Sequence, residues 1–483
     1  MSVVIIGNGM AGHRLAQGLR RRSPDLAVTV LGAEPQPAYN RVLLSGVLAG
    51  TSSAAAVELA DPGVDVRLGA QVVGIDTRQR RVQLAEGPDV GYDELVLATG
   101  SRAAIPPVDG LADPDGSPAP GVVAFRTLAD CEHITELARG GPMAVVGGGL
   151  LGVEAARGLA GLGVDVTVVH PVGHLMERQL DPGGGEVLAG VLGGLGVRMR
   201  FGVSAESWRP GRLTLSDGSA LDVAGVVVSA GVAPQSWLAR RAGLRVDRGI
   251  VVDDRMATSV PGVHAIGECA EHRGSCHGLV GPCWEQADVL ADLLSGVDPG
   301  ARYTGSALVT RLKARDVDLA AMGELPGGAP GDTGDTAEVV RVSDATRGRY
   351  GALTLRDGRI CGAVLLGFPE AAGPVIQLYD SGGAVPDDRF GLLLGRAAGT
   401  VTDSPAQLPA RAVVCKCNGV TKREIVGAWR DGARDTAAIA TATRATTGCG
   451  SCADTVDGLC GWLTESDPGP EELPVAAARE GAA

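Results

Sequence analysis

Two glycine-rich turns and two close pairs of cysteines are the residues of this chain with chemistry in their spacing. The first turn is Gly7-Asn8-Gly9-Met10-Ala11-Gly12 and the second is Gly147-Gly148-Gly149-Leu150-Leu151-Gly152. Each follows a short apolar run and opens a helix-like segment. In that setting the first glycine makes a tight turn and the second lets backbone approach a pyrophosphate. The third lets helix and strand pack closely. The helix N-terminus then faces the phosphates. Glu34 lies 22 residues after Gly12, just past the next strand, where a carboxylate accepts from a ribose hydroxyl.

The second turn has Glu154 in its first helical turn, but its next strand ends at Val169-His170 with no acid. A carboxylate at that end would bind the 2′-hydroxyl of NAD and repel the 2′-phosphate of NADP. His170 does neither and reads as a surface residue touching the adenosine. His174 and Arg178 stand near enough in sequence to help hold a phosphate. NADH and NADPH both stay open.

The cysteine pairs are Cys415-Lys416-Cys417 and Cys449-Gly450-Ser451-Cys452, with 31 residues between them. Four thiolates suit a [2Fe–2S] cluster or a structural zinc, and spacing alone leaves both open. Ligation deprotonates thiols whose free pKa is about 8.5, so metal binding is coupled to folding of this unit. Cys269, Cys276 and Cys283 recur at intervals of seven with no second cluster pattern. They read as small buried residues, as does Cys460.

The elements that must position these groups follow from the apolar pattern. Strands are expected at 3–6, 27–31 and 93–98, with a helix at 11–22; the unit then restarts with a strand at 143–146, a helix at 150–162 and a strand at 164–169. Further strands are expected at 226–230 and 263–266, and a helix at 282–295 entered by a Gly-Pro turn. After 300 the character changes: strand-like segments 338–343 and 350–366 flank a Gly/Pro/Asp loop at 326–336. A linker at 402–411, a cysteine unit at 412–463 and a disordered tail complete the chain. At 483 residues about three domains are expected. The net charge of −13 and the 3% aromatic content supply no basic stripe or stacking platform for nucleic acid. No apolar run is long enough for a membrane helix. The first strand begins almost at Met1, with no leader pattern before it, so a cytoplasmic protein is expected.

The segments VVIIGNGMAGHRLAQGL, PAYNRVLLSGVLAG, LVLATGS, VVGGGLLGVEAARGL, LMERQLD, HAIGECAEHRG and GLVGPCWEQA together resemble the pyridine-nucleotide-dependent flavoprotein reductases. Closer still is the flavoprotein portion of bacterial assimilatory NAD(P)H nitrite reductase and of the assimilatory nitrate reductase electron-transfer subunit. The segments CKCNGVTKREI and TRATTGCGSC resemble the bacterioferritin-associated-ferredoxin-like [2Fe–2S] domain, which favours iron over zinc.

The resemblance implies an α/β fold with two Rossmann-like, three-layer dinucleotide-binding domains of the glutathione-reductase type. A small α+β domain and a small helical iron–sulfur domain follow. It implies FAD bound by residues 1–112 and 235–320, NAD(P)H by 113–234, an interface domain at 321–402, the cluster at 411–463 and a tail at 464–483. At the first site it implies Gly7, Gly9, Met10, Ala11, Gly12, Glu34, Arg41, Thr99, Gly100, Gly267, Glu268 and Trp284. At the second it implies Gly147, Gly149, Leu151, Gly152, Glu154, His170 and Gly231. The cluster ligands would be Cys415, Cys417, Cys449 and Cys452.

Residues 39–45 hold no cysteine, so thiol chemistry beside the flavin is disfavoured. Hydride transfer needs no acid–base residue, and none is assigned. No sirohaem or molybdopterin portion is expected in the remaining length. A separate molybdenum nitrate reductase or sirohaem nitrite reductase is the implied acceptor, with a homodimer left open. A ferredoxin- or rubredoxin-type reductase is the alternative enzyme, and a metal-dependent redox sensor the alternative of another class.

Overall fold

Val3, Val4, Ile5 and Ile6 are apolar without alternation, as a strand covered on both faces requires. They lie at 0–4% exposure in the middle of a five-stranded parallel sheet. Its order is Val263–Ala265, Glu94–Leu97, Ser2–Ile6, Ala27–Leu31, Asp65–Arg67. Met143, Ala144, Val145 and Val146 do the same in a second parallel sheet, ordered Val197–Phe201, Val166–His170, Met143–Val146, Gly225–Val228, Val122–Ala124. The strand before each glycine turn is thus the centre of its sheet. The computed structural model describes residues 1–325, 337–396, 408–410, 412–415, 418–447 and 452–467. It divides into two compact units, residues 1–400 and 401–483.

The helix Met10–Arg22 buries Leu15 and Leu19 completely against the first sheet, each contributing about 1.5–3 kcal/mol of apolar burial. It lies on the helix Val280–Ser295, where Arg14 pairs with Asp288 at 2.9 Å and Arg22 with Asp292 at 2.6 Å. That second helix starts two residues earlier than expected. Gly281 and Pro282 fall inside its first turn, where a missing N–H costs no helical bond.

A third, antiparallel sheet runs Val309–Arg311, Leu319–Gly323, Arg359–Leu366, Arg349–Arg356, Glu338–Asp344. Two expectations change here. Strand pairing moves the start of this layer from 321 to 309, because Leu319–Gly323 pairs with Arg359–Leu366 across the expected boundary. Residues 350–366 form a hairpin rather than one strand. Asp357 and Gly358 take φ of 51° and 67°, the paired left-handed conformation that an Asp-Gly hairpin turn needs.

The second unit pairs Val413–Cys415 with Val420–Thr421 and adds helices Lys422–Arg430, Thr436–Thr443 and Ala453–Ser466. Thr421 and Glu424 form a capping box at the first of these. Ile425, Trp429, Ile439, Val456, Leu459 and Leu463 fill its core. The expected 326–336 loop, most of the 402–411 linker and nearly all of the tail lie outside the described residues. Among the described residues, no helix is long and apolar enough to cross a membrane.

Candidate dinucleotide and cysteine sites

Both glycine turns are forced by backbone contact. A Cβ on Gly7 (φ 114°) would sit 2.2 Å from the Ala98 carbonyl oxygen, and one on Gly147 (φ 115°) 2.3 Å from that of Ser229. A Cβ on Gly12 or Gly152 would lie 2.0 Å from the carbonyl oxygen of Gly7 or Gly147. The middle glycines differ in kind. Nothing lies within 4 Å of a Cβ on Gly149, and only Arg41 Nε, at 3.9 Å, approaches one on Gly9. Gly9 and Gly149 are the N-caps of helices Met10–Arg22 and Leu150–Gly161, and neither N-terminus has a side-chain cap. Open space thus meets unsatisfied N–H groups, an arrangement that fits a phosphate. Met10, Ala11 and Leu151 follow in the first turns, and the Asn8 Oδ1 beside Gly9 is buried without a hydrogen-bond partner.

Around the first turn, Glu34 accepts from the Tyr39 hydroxyl at 2.7 Å and from Arg41, whose guanidinium also reaches the Arg126 carbonyl at 3.1 Å. Burial and the Glu34 bond push the Tyr39 phenol up. Thr99 donates to the Gln235 carbonyl at 2.6 Å, and Gly100 takes φ 66°. Glu268 accepts from Arg126 and from Ser101, both at 2.5 Å. Gly267 is held by the buried Gln286, whose Oε1 accepts its N–H at 2.8 Å. Trp284 is buried with Arg14 over its ring at 5.9 Å. The N-terminus of its helix, at Leu279, has no side-chain cap. Arg126, Ser101, Gln235 and Gln286 are not among the residues the sequence singles out; Ser101 and Gln286 lie inside the LVLATGS and GLVGPCWEQA segments, whereas Arg126 and Gln235 reach the site through tertiary packing with no motif to mark them.

Around the second turn, Glu154 is buried and accepts from the Lys313 N–H at 2.9 Å. Burial pushes its carboxyl up, partly offset by the Lys313 charge. Gly231 takes φ 103° with open space where a Cβ would be. His170 corrects an expectation: it is 5% exposed, not a surface residue. The chain after it folds back over the glycine turn, with the Met176 N–H donating to the Gly148 carbonyl at 2.9 Å. His174 is engaged with the Leu180 carbonyl at 3.2 Å, and Arg178 is exposed.

Cys269 and Cys283 are buried, as expected, and burial pushes both thiols up; Cys276 is half-exposed. In the second unit Cys415 is fully buried at its strand end, and Cys452 is buried at the N-cap of Ala453–Ser466. Cys460 is buried in the same helix. Cys417 and Cys449 lie outside the described residues. Cys415 and Cys452 carry the thiol chemistry that an iron–sulfur cluster or a zinc ion takes.

Residues 1–286 match the family described as pyridine nucleotide-disulphide oxidoreductase. Residues 309–371 match the rubredoxin NAD+ reductase C-terminal domain, and 413–460 the BFD-like [2Fe-2S] binding domain. The nitrite reductase [NAD(P)H] of Bacillus subtilis (strain 168) is 34% identical over 96% of this chain and 58% of its own length. The assimilatory nitrate reductase electron transfer subunit of the same strain is 33% identical over 96% of this chain and 60% of its own. The chain therefore spans about three-fifths of these relatives. The ferredoxin reductase component of a chlorobenzene dioxygenase from Cupriavidus sp. (strain PS12) is 31% identical over 80% of this chain and 94% of its own. Among solved structures, putidaredoxin reductase in its covalent complex with putidaredoxin aligns with a TM-score of 0.72 at 25% identity. That alignment covers 83% of this chain and 99% of the other.

Proposed function

The chain belongs to the pyridine nucleotide-disulphide oxidoreductase family, and we propose that it delivers electrons from NAD(P)H to a separate assimilatory nitrate or nitrite reductase. It is an FAD-dependent NAD(P)H oxidoreductase with a [2Fe–2S] domain, so the family, fold class and cofactors expected from sequence stand. The choice of acceptor rests on one observation: the similarity to the assimilatory nitrate reductase electron transfer subunit runs over 96% of this chain, through both its flavoprotein and its BFD-like portions.

In this reading Gly7, Gly9, Met10, Ala11 and Gly12 cradle the FAD pyrophosphate, with Arg41 beside it. Glu34 takes the ribose, while Thr99, Gly100, Gly267 and Glu268 line the path to the ring, with Trp284 behind. Gly147, Gly149, Leu151, Gly152, Glu154 and Gly231 receive NAD(P)H, and His170 shapes that turn. Cys415, Cys417, Cys449 and Cys452 hold the cluster. When bound, FAD would supply exchange between two-electron and one-electron chemistry, and a cluster held by the four cysteines would supply a one-electron site. The protein's own work is to align the nicotinamide, exclude water and set the local field. The open N-terminus of Val280–Ser295 favours negative charge near it. The domain division belongs to this proposal, with the interface layer now starting at 309, as does a cytoplasmic location.

An anaerobic titration with NADH and then NADPH, followed by visible absorption and EPR, tests the relay. Flavin bleaching with a reduced [2Fe–2S] signal is expected. A silent cysteine site that analyses as zinc would overturn it. Cys415→Ser should leave flavin reduction intact and abolish reduction of an assimilatory nitrate reductase supplied in trans. A second reading is a reductase for a ferredoxin- or rubredoxin-type protein, favoured by the rubredoxin-reductase-like segment 309–371. Under it, Cys415→Ser would still reduce such a small carrier at the wild-type rate.

A further inference from the structure

The two nucleotide units can be superposed by register. Gly7 donates to the Leu31 carbonyl and Gly147 to that of Val169, so Leu31 and Val169 are equivalent. Gly32 then corresponds to His170, and Asn8 to Gly148. Glu34 corresponds to Val172, which explains why sequence reading finds no acid at the end of the second strand.

A carboxylate reaches that strand end by another route. The Gly148 N–H donates to His170 Nδ1 at 3.1 Å. With Nδ1 accepting, the neutral ring carries its proton on Nε2. Nε2 lies 3.1 Å from Glu177 Oε2 and donates to it. Three contacts hold this arrangement against the glycine turn. These are the His170 bond, the Met176 N–H to the Gly148 carbonyl, and Leu175 Cδ2, 2.9 Å from where a Gly148 Cβ would sit. His170 is buried, while the Glu177 side chain is 34% exposed and so reachable from solvent.

We propose that Glu177 decides nucleotide choice. Its carboxylate, positioned by His170, accepts from the adenosine ribose 2′-hydroxyl of NADH and repels the 2′-phosphate of NADPH. This rests on the second glycine turn being the NAD(P)H site. His170 is a positioning residue that acts through Glu177.

Calorimetric titration of the oxidised, FAD-loaded protein with NAD+ and with NADP+ reads this without turnover. Wild type should bind NAD+ at least about tenfold more tightly, the factor expected of a charged hydrogen bond. Glu177→Gln keeps an acceptor for His170 but removes the charge. NAD+ should weaken and NADP+ tighten, bringing the two within about threefold. Glu177→Asp should keep the NAD+ preference. A wild-type preference for NADP+, or an unchanged ratio in Glu177→Gln, overturns the proposal. Failure of wild type to bind either nucleotide would overturn the assignment of the second turn itself.

Discussion

The first and second nucleotide units share a backbone and differ in how they fill it. In the first, Asn8 projects over Gly32, whose Cβ would meet the Asn8 Cβ at 2.9 Å. In the second, His170 projects over Gly148, whose Cβ would meet the His170 ring at 2.8 Å. Small and large residues have exchanged sides of one contact. The acid shows the same exchange. Glu34 stands close after its strand and is fixed by Tyr39 and Arg41, whereas Glu177 arrives seven residues after His170 and is fixed through it. One helix position along, Arg14 reaches out to Asp288 while its equivalent Glu154 is buried under Lys313. Duplication preserves what the backbone demands; the side chains around it were free to find a second solution.

The largest effect should come from the glycines the units share. Gly12→Ala and Gly152→Ala each place a methyl 2.0 Å from a carbonyl oxygen, a clash that neighbouring side chains cannot relieve. Gly12→Ala should purify without FAD. Gly152→Ala should keep its flavin spectrum and lose about 100-fold in NAD+ affinity. Equal flavin loss in both would show that the two sites do not bind separate cofactors.

The size pattern of the two units can be exchanged. Gly148→Asn should destabilise the fold by about 1–3 kcal/mol by crowding His170, and adding His170→Gly should restore much of that stability, measured by thermal melting. Such a pair couples by about 1 kcal/mol or more, and simple additivity would refute the equivalence of the two contacts.

A smaller effect tests Glu154. Its carboxyl is pushed up by burial, so the folded state resists the ionisation that the unfolded chain undergoes freely above about pH 4. Stability is therefore lost as pH rises from the unfolded pKa toward the folded one. Glu154→Gln should melt above wild type at neutral pH, and the gap should close near pH 4. A gap independent of pH would mean that Glu154 is ionised without penalty in the fold.

The smallest effect is expected at the equivalent threonines. Thr29 donates to Asp65 and Thr167 accepts from Arg198, both at 3.3 Å. Replacing either by Val should change stability by less than about 1 kcal/mol, measured by thermal melting.

Strands and helices of both units were legible because a doubly covered strand reads as an unbroken apolar run, and a glycine turn fixes where its helix begins. Ala27–Leu31 and Met143–Val146 fall where that pattern puts them. Helix Val280–Ser295 started early because Pro reads as a boundary, although it is tolerated in a first turn. The start of the third layer at 309 is not legible because the three-residue strand Val309–Arg311 carries too little periodicity to register, and Leu319–Gly323 is placed by its pairing with Arg359–Leu366. His170 was misplaced on the surface because its burial comes from residues 174–177 folding back, which no local pattern announces.

Residue type and spacing suffice for the duplicated nucleotide fold, the two glycine cradles, Glu34 and the four-cysteine signature. Each depends on neighbours within a few tens of residues, and on the steric rule that only glycine fits where a Cβ would strike backbone. Packing of distant segments sets which side chains surround the two glycine turns. Arg126 and Ser101 meet Glu268, Gln286 holds Gly267, Lys313 covers Glu154, and Glu177 is delivered through His170. Those contacts join residues far apart in the chain or turned back on themselves. Their partners are set by the packing of sheets and helices, not by spacing in the sequence.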